Sequence, residues 1–294
     1  MINNFIPDKI ILGHNQFFGT DHMSAERGAE RAGYFNNIEN VIHIIRIAYE
    51  NGAKGLMLST HDNAKLIINE LVKDDELKNN LNIYVLLPYM AKYVRMANER
   101  GMVNMVGEIL GEATWKERLG IMSSGGMGVL KKDISVLLKA LIDIELLPFK
   151  KVNMKAIFLH NALSDMVAGL KMVDIAHFFS NHIVEKYQVA PGFCTLNSPL
   201  LMNFLNDVKI ENPLLMAPFN PIGFQMNPSR EAAEKVLKKI PSSMIAMSTL
   251  AAGYVKPIEA YEYISTLGEI NSVVVGASSQ EHIVENFKLL RKAV

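Results

Sequence analysis

Ser272-Val273-Val274-Val275-Gly276-Ala277-Ser278-Ser279-Gln280-Glu281-His282-Ile283-Val284-Glu285-Asn286 is the stretch whose pattern points most directly to a fold. Ser272 to Val275 has the Val-rich content of a buried strand, and Gly276 to Ser279 form a small-residue turn. From Gln280 onward, Ile283, Phe287 and Leu290 recur at helical spacing. Ser278 and Glu281 have the spacing of a capping box, which predicts where the helix starts. Such a strand, turn and helix start aim several backbone N–H groups at one spot. The helix macrodipole adds to their attraction for an anion such as phosphate. Alone this is an ordinary strand-to-helix turn; its position at the end of a series of such units gives it weight.

The series is visible upstream. Short apolar runs, each bounded by turn residues and followed by a helical pattern, predict strands at 9–13, 55–59, 83–87, 156–159, 189–195, 214–217 and 244–247. Residues 17–36 read as a polar connection, after which Asn37 caps a helix carrying Ile38, Val41, Ile42 and Ile45. Asp174 is a plausible cap after the fourth strand, and Asn227-Pro228 reads as the start of another helix. The separation at about residues 90–153 is too long for one crossover helix. It reads as an elaborated connection with helices around 93–110, 115–122 and 133–146 and a glycine-rich turn at 123–128. Eight strands, each followed by helix, predict one (β/α)8 TIM barrel spanning residues 1–294.

Composition limits what such a barrel could do. The chain is 294 residues long, with 30 basic and 30 acidic residues, a formal net charge of zero and 49% hydrophobic content. The pI near 7.1 and mean hydropathy of +0.13 are those of an ordinary globular protein. No basic stripe argues for nucleic acid, and no apolar run is long enough to span a bilayer. The single cysteine, Cys194, and an N-terminus unlike a signal peptide lead to the expectation of a cytoplasmic protein acting on a small molecule. Nothing in the surface pattern reveals an oligomeric state.

In a barrel, residues just beyond the strand C-termini share one mouth, where active sites form. Those residues are His14, Asn15, His61, Asp62, Tyr89, His160, Asn161, Asn197, Asn220, Ser248 and Ser278. Two chemistries suit them. In one, His160 hydrogen-bonds or protonates a substrate carbonyl while the seventh and eighth turns hold phosphate. In the other, His14, His61 and His160 bind a divalent metal, with Asp62 as fourth ligand or base, for a lyase or hydrolase reaction. A non-catalytic barrel that senses a phosphorylated metabolite is a third reading. His43, His177 and His182 fall inside helical patterns, and His22 in the first long connection.

The last third also resembles a known family. Gly276-Ala277-Ser278-Ser279-Gln280-Glu281-His282-Ile283-Val284-Glu285-Asn286 resembles the NADP-binding segment of the aldo-keto reductases, G-A-S-S-x-E-x-[LI]-x-E-N. Leu12 to Gly19 is similar to that family's L-G-x-G-x-x-x-F-G, Leu159-His160 to its fourth-strand L-H, Gly192 to Asn197 to its G-x-S-N, and Ser248 to Gly253 to its S-P-L-A-x-G. The resemblance implies an oxidoreductase barrel that binds NADP or NAD. It implies phosphate contacts from Ser278 and Ser279, supported by the turns at Ser248, Gly253 and Gly276. Asn286 would meet the adenine, and Asn197 and Asn220 would lie near the nicotinamide amide. His282 stands where NADP-preferring members often carry Arg, and a neutral imidazole is a poorer partner for a 2′-phosphate. Of the family's catalytic Asp, Tyr, Lys and His, only His160 is plainly matched. His61 or Asp62 would replace the lost donor, Tyr89 and Lys92 of the next loop are further substitutes, and His14 stands with them among the catalytic candidates.

Overall fold

The computed structural model describes residues 5–19, 25–100 and 134–294. Eight parallel strands, β1 (Ile10–Leu12), β2 (Gly55–Ser59), β3 (Asn82–Leu87), β4 (Met154–Leu159), β5 (Ala190–Cys194), β6 (Leu214–Pro218), β7 (Ser243–Met247) and β8 (Ile270–Val275), pair in chain order. The cylinder closes through Ile10↔Val273 and Leu12↔Val275. Helices α1 (Ala25–Phe35) and α2 (Ile38–Glu50) link β1 to β2, and α3 (Ala64–Leu71) and α4 (Asp75–Asn80) link β2 to β3. Beyond β3 come α5 (Met90–Arg100) and α6 (Ile134–Glu145), and beyond β4 come α7 (Asn161–Gly169) and α8 (Val173–His182). One helix follows each remaining strand: α9 (Ser198–Asp207), α10 (Arg230–Lys239), α11 (Pro257–Ser265) and α12 (Gln280–Ala293).

Strand alternation divides the apolar residues into two cores. Ile11, Met57, Tyr84, Leu86, Ala156, Phe158, Cys194, Met216 and Ile245 fill the cylinder. Leu12, Leu56, Val85, Ile157, Phe193, Leu215 and Val273 face outward under the helices. The interior has room for Phe158 because β5 carries Gly192 opposite it, where a Cβ would lie 2.5 Å from the ring. The segment ahead of β1 closes the N-terminal end. Asp8 accepts from Tyr84 (2.8 Å), Asn82 (2.9 Å) and Lys155 (3.0 Å), while Ser272 donates to the Asp8 carbonyl at 2.5 Å. Side chains therefore plug the N-terminal end, opposite the end where active sites form in barrels of this kind.

Several local expectations are corrected. The connection at 17–36 contains α1, built from Ala, Glu and Arg, all good helix formers; Gly28 and Gly33 obscure the pattern. Asp174 lies inside the first turn of α8, whose cap position is Met172. The Asn227–Pro228 peptide is cis, and α10 starts two residues later, where the Ser229 hydroxyl accepts from the Ala232 N–H. At α12 the cap is Ser279, accepting from the His282 N–H, so the capping interaction sits one residue beyond the expected Ser278 and Glu281 pair. The expected pieces at 115–122 and 123–128, and His22, lie outside the described residues. Among the described residues no helix is long and apolar enough to cross a membrane.

Candidate active site

Three histidines from three different strand ends meet at the mouth. His14 follows β1 and is 8% exposed. Burial pushes its pKa down to about 4, and His61 and His160 stand close enough to add to the shift. The Met57 backbone opposes part of that shift, and Nδ1 is buried with no partner. With its pKa this low the ring is neutral at ordinary pH.

His61 and His160 use Nδ1 as an acceptor. The Asn63 N–H donates to His61 Nδ1 at 3.0 Å, and the Ala162 N–H donates to His160 Nδ1 at 3.2 Å. Each ring is thus turned to cap its own loop or helix, and each neutral ring keeps Nε2–H free to donate elsewhere. His160 is the cap residue of α7 and lies two positions beyond Phe158, on the interior side of β4. Burial lowers the pKa of both rings; at His61, Asp62 opposes the shift and Arg95 adds to it.

Aromatic side chains pack around this cluster. Phe18 stacks on His61 with ring centroids 4.4 Å apart, and Tyr89 meets the same ring edge-on at 4.6 Å. Behind them lies a buried acid. Glu145 of α6 accepts from the Tyr93 hydroxyl, is hydrogen-bonded to Thr60 and has Lys92 Nζ at 3.7 Å. Burial raises its pKa despite these partners. Thr60 also accepts from the Tyr89 N–H at 3.1 Å, so this network holds the start of α5 against the end of β2. Asp62 is exposed beside it.

Across the mouth, Asp165 of α7 accepts from the Thr195 hydroxyl and from the Leu196 N–H (3.1 Å), bracing the turn that carries Asn197. Burial raises the Asp165 pKa and pushes the nearby Cys194 thiol to about 12, too high for a nucleophile at neutral pH. The expected cofactor residues divide into two groups. Asn197 uses Oδ1 to cap α9, and Asn220 is fully buried with its amide spent on Phe224 and Ser248 backbone groups. Both therefore hold loops in place, Asn220 entirely so. Ser248 donates to Gln225 at 3.3 Å, Gly253 is exposed, and the two have φ values of 53° and 96°. Gly276 is approached by Gln16, whose Oε1 would lie 2.7 Å from an added Cβ. Ser278 is half-buried and Ser279 caps α12. Asn286 is buried with Oδ1 unpartnered.

The residues missed from sequence are Ser59, Phe18 and Glu145. Ser59 is buried, its Oγ has no partner, and it is the next interior-facing position on β2 after Met57. Period-two counting from Met57 could have found it; Glu145, distant in sequence, left no such signal. Among the described residues no group of three or more His, Cys, Asp or Glu side chains is arranged to hold a metal. His14, His61 and His160 lie near one another without forming such a set.

No family model and no curated protein matches the chain. Solved structures do. A candidate aldo-keto reductase from Pseudomonas aeruginosa superposes with a TM-score of 0.62 at 9% identity, covering 97% of this chain and 90% of that one. A candidate 2,5-diketo-D-gluconic acid reductase B gives 0.57 at 10% identity, with 96% and 81% covered. An aldo-keto reductase from Brucella melitensis gives 0.51 at 12% identity, with 86% and 83% covered. Identities this low speak for the backbone alone: this chain has the (β/α)8 barrel fold of the aldo-keto reductases.

Proposed function

We propose that the protein is an oxidoreductase that reduces a carbonyl compound with a nicotinamide cofactor lying across the barrel mouth. The observation that carries this reading is His160. Its backbone position at the end of β4, its half-buried ring and the Ala162 N–H on Nδ1 together leave a neutral Nε2–H donor in the mouth. Such a fixed donor polarises a carbonyl oxygen as negative charge develops there.

The residues present fit the adenine and phosphate half of a dinucleotide. Asn286 Oδ1 is an unpartnered buried acceptor, suited to the adenine amine, and the N-terminal end of α12 carries the positive end of a helix dipole, suited to phosphate. Asn220 has no amide group left for the nicotinamide, so that expected contact is not part of the proposal. The bound cofactor would supply hydride. In this reading His160 orients the substrate oxygen, and His61, with Asp62 beside it, delivers the proton that ends on the product. The half-exposed His61 ring can be reprotonated from water by giving up its bond from the Asn63 N–H, and its lowered pKa makes that protonated form a stronger acid. Phe18 and Tyr89 keep one side of the site apolar.

Fluorescence titration with NADPH and NADH tests the reading directly. Binding of both is expected, without a strong preference for NADPH, since His282 stands in place of Arg. No binding of either at millimolar concentration would end the proposal. With a reducible substrate, His160→Phe is expected to lower kcat roughly a hundredfold while leaving cofactor affinity in place.

A further inference from the structure

Glu145, the last residue of α6, is buried, and its Oε2 has no partner. Its other oxygen accepts from the Tyr93 hydroxyl and lies 3.7 Å from Lys92 Nζ, both in the first turn of α5. Taking a carboxylate out of water is costly, and apolar side chains of similar volume often hold two elements together at no lower stability. What the carboxylate adds is direction, since charge-assisted hydrogen bonds fix the groups that they join. The α6 side of this grip is rigid. Asp143, two residues earlier, accepts from His182 and Tyr187 and lies 2.6 Å from Lys186 Nζ. Ile142 and Leu146 beside it are fully buried. The α5 side leads to the mouth. The Lys92 N–H donates to the Tyr89 carbonyl at 3.1 Å, and the Tyr89 N–H donates to Thr60 Oγ1 at 3.1 Å. Both backbone groups of Tyr89 are therefore fixed, one by the turn that Glu145 grips and one by the end of β2. The Tyr89 ring then meets His61 edge-on, at 4.6 Å with 64° between the planes, while Phe18 stacks on the same imidazole at 4.4 Å and 11°.

We propose that Glu145 is a positioning residue for His61: its carboxylate grips Lys92 and Tyr93, and through them it sets the Tyr89 ring and the orientation of the imidazole in the mouth. The placement does not depend on the carbonyl-reduction reading; its effect on rate rests on that reading. There His61 delivers a proton, and a reacting group misplaced by about 1 Å loses roughly a hundredfold in rate. Glu145 itself stands behind Thr60 and touches neither substrate nor cofactor, so it acts only through the residues that it holds.

The ring-proton resonances of His61, identified by their loss in His61→Gln, report the placement because both neighbouring aromatic rings shift them. Tyr89→Ala supplies the change expected when the edge-on ring is lost. Glu145→Leu keeps the buried volume but removes the acceptor, and its His61 signals should move in the direction of Tyr89→Ala. Glu145→Gln keeps an oxygen for the Tyr93 hydroxyl, and its signals should stay nearer the wild type. A merely structural Glu145 predicts a lower urea midpoint for Glu145→Leu with the His61 signals unmoved, and that result would overturn the proposal. If Glu145→Leu does not fold, Tyr93→Phe and Lys92→Met take its place. Each removes one contact to Glu145 and should move the signals the same way; no movement in either overturns the proposal equally. With a reducible substrate, Glu145→Leu is expected to lower kcat about tenfold with KM for the cofactor unchanged, and Glu145→Gln to recover most of the loss. Moved signals in a protein whose wild type reduces nothing would leave the placement standing and end the reduction reading. Moved signals with an unchanged kcat would keep the placement and take His61 out of the proton transfer. Reduction by the wild type with unmoved signals would remove the placement alone.

Discussion

Burial sets the charge of His14. An imidazolium enclosed at the mouth loses its hydration, and two neighbouring imidazoles add to the penalty, so the ring stays neutral down to about pH 4. The unfolded chain would bind that proton near 6.5. Between those values the unfolded state holds more protons than the native state, so stability falls as pH is lowered from about 6.5 to about 4. The shift corresponds to on the order of 3 kcal/mol, and the lowered values at His61 and His160 act in the same direction. Urea midpoints measured across this range should decline for the wild type and decline less steeply for His14→Gln. Equal slopes would show that His14 titrates normally. The same neutrality lets His14 accept a hydrogen bond throughout the physiological range.

At the scale of elements, side chains at strand ends spend one polar atom on local structure and keep another for the mouth. His160 caps α7, Asn197 caps α9 and Ser279 caps α12. A cap is fixed by its helix, so whatever it presents to a ligand is held without further ordering. For α12 the assignment is testable: Ser279→Ala should cost about 1 kcal/mol in urea unfolding, whereas Ser278→Ala should change stability by less than about 0.5 kcal/mol. The opposite ranking would restore the capping box at Ser278. Elsewhere, Asp143 clamps α6 to α8 by accepting from His182 (2.9 Å) and Tyr187 (2.7 Å). Burial raises its pKa, but these bonds and Lys186 outweigh that and hold it at about 2.

Across the whole molecule the two barrel ends differ in kind. The N-terminal end is closed by a network centred on Asp8, which joins the leading segment to β3, β4 and β8. Outside, Arg291 of α12 donates to the Asn51 carbonyl, linking the last helix to the turn between α2 and β2. Asp8→Ala strands the Tyr84 hydroxyl and the Lys155 ammonium in a mostly buried place, and should cost about 2–3 kcal/mol. Cofactor affinity at the opposite end should be unaffected. Equilibrium unfolding together with cofactor titration checks both halves, and a parallel loss of binding would mean that the ends are coupled.

Strand order and the barrel were legible because period-two burial and repeated strand-turn-helix units are local patterns, and the histidines at strand ends could be named from position alone. Helix starts near Asn227 and Ser278 were less legible, since several neighbouring Ser and Asn residues can each cap and only the folded backbone selects one. The roles of Asn220, Ser59 and Glu145 were decided by tertiary structure. Whether an amide faces a ligand or its own loop, whether a serine finds a partner, and which acid lies behind Thr60 depend on contacts between residues far apart in the chain. Local sequence specifies the elements and their order; which polar atoms remain unsatisfied, and therefore what the mouth can bind, is settled only when the cylinder closes and water is excluded.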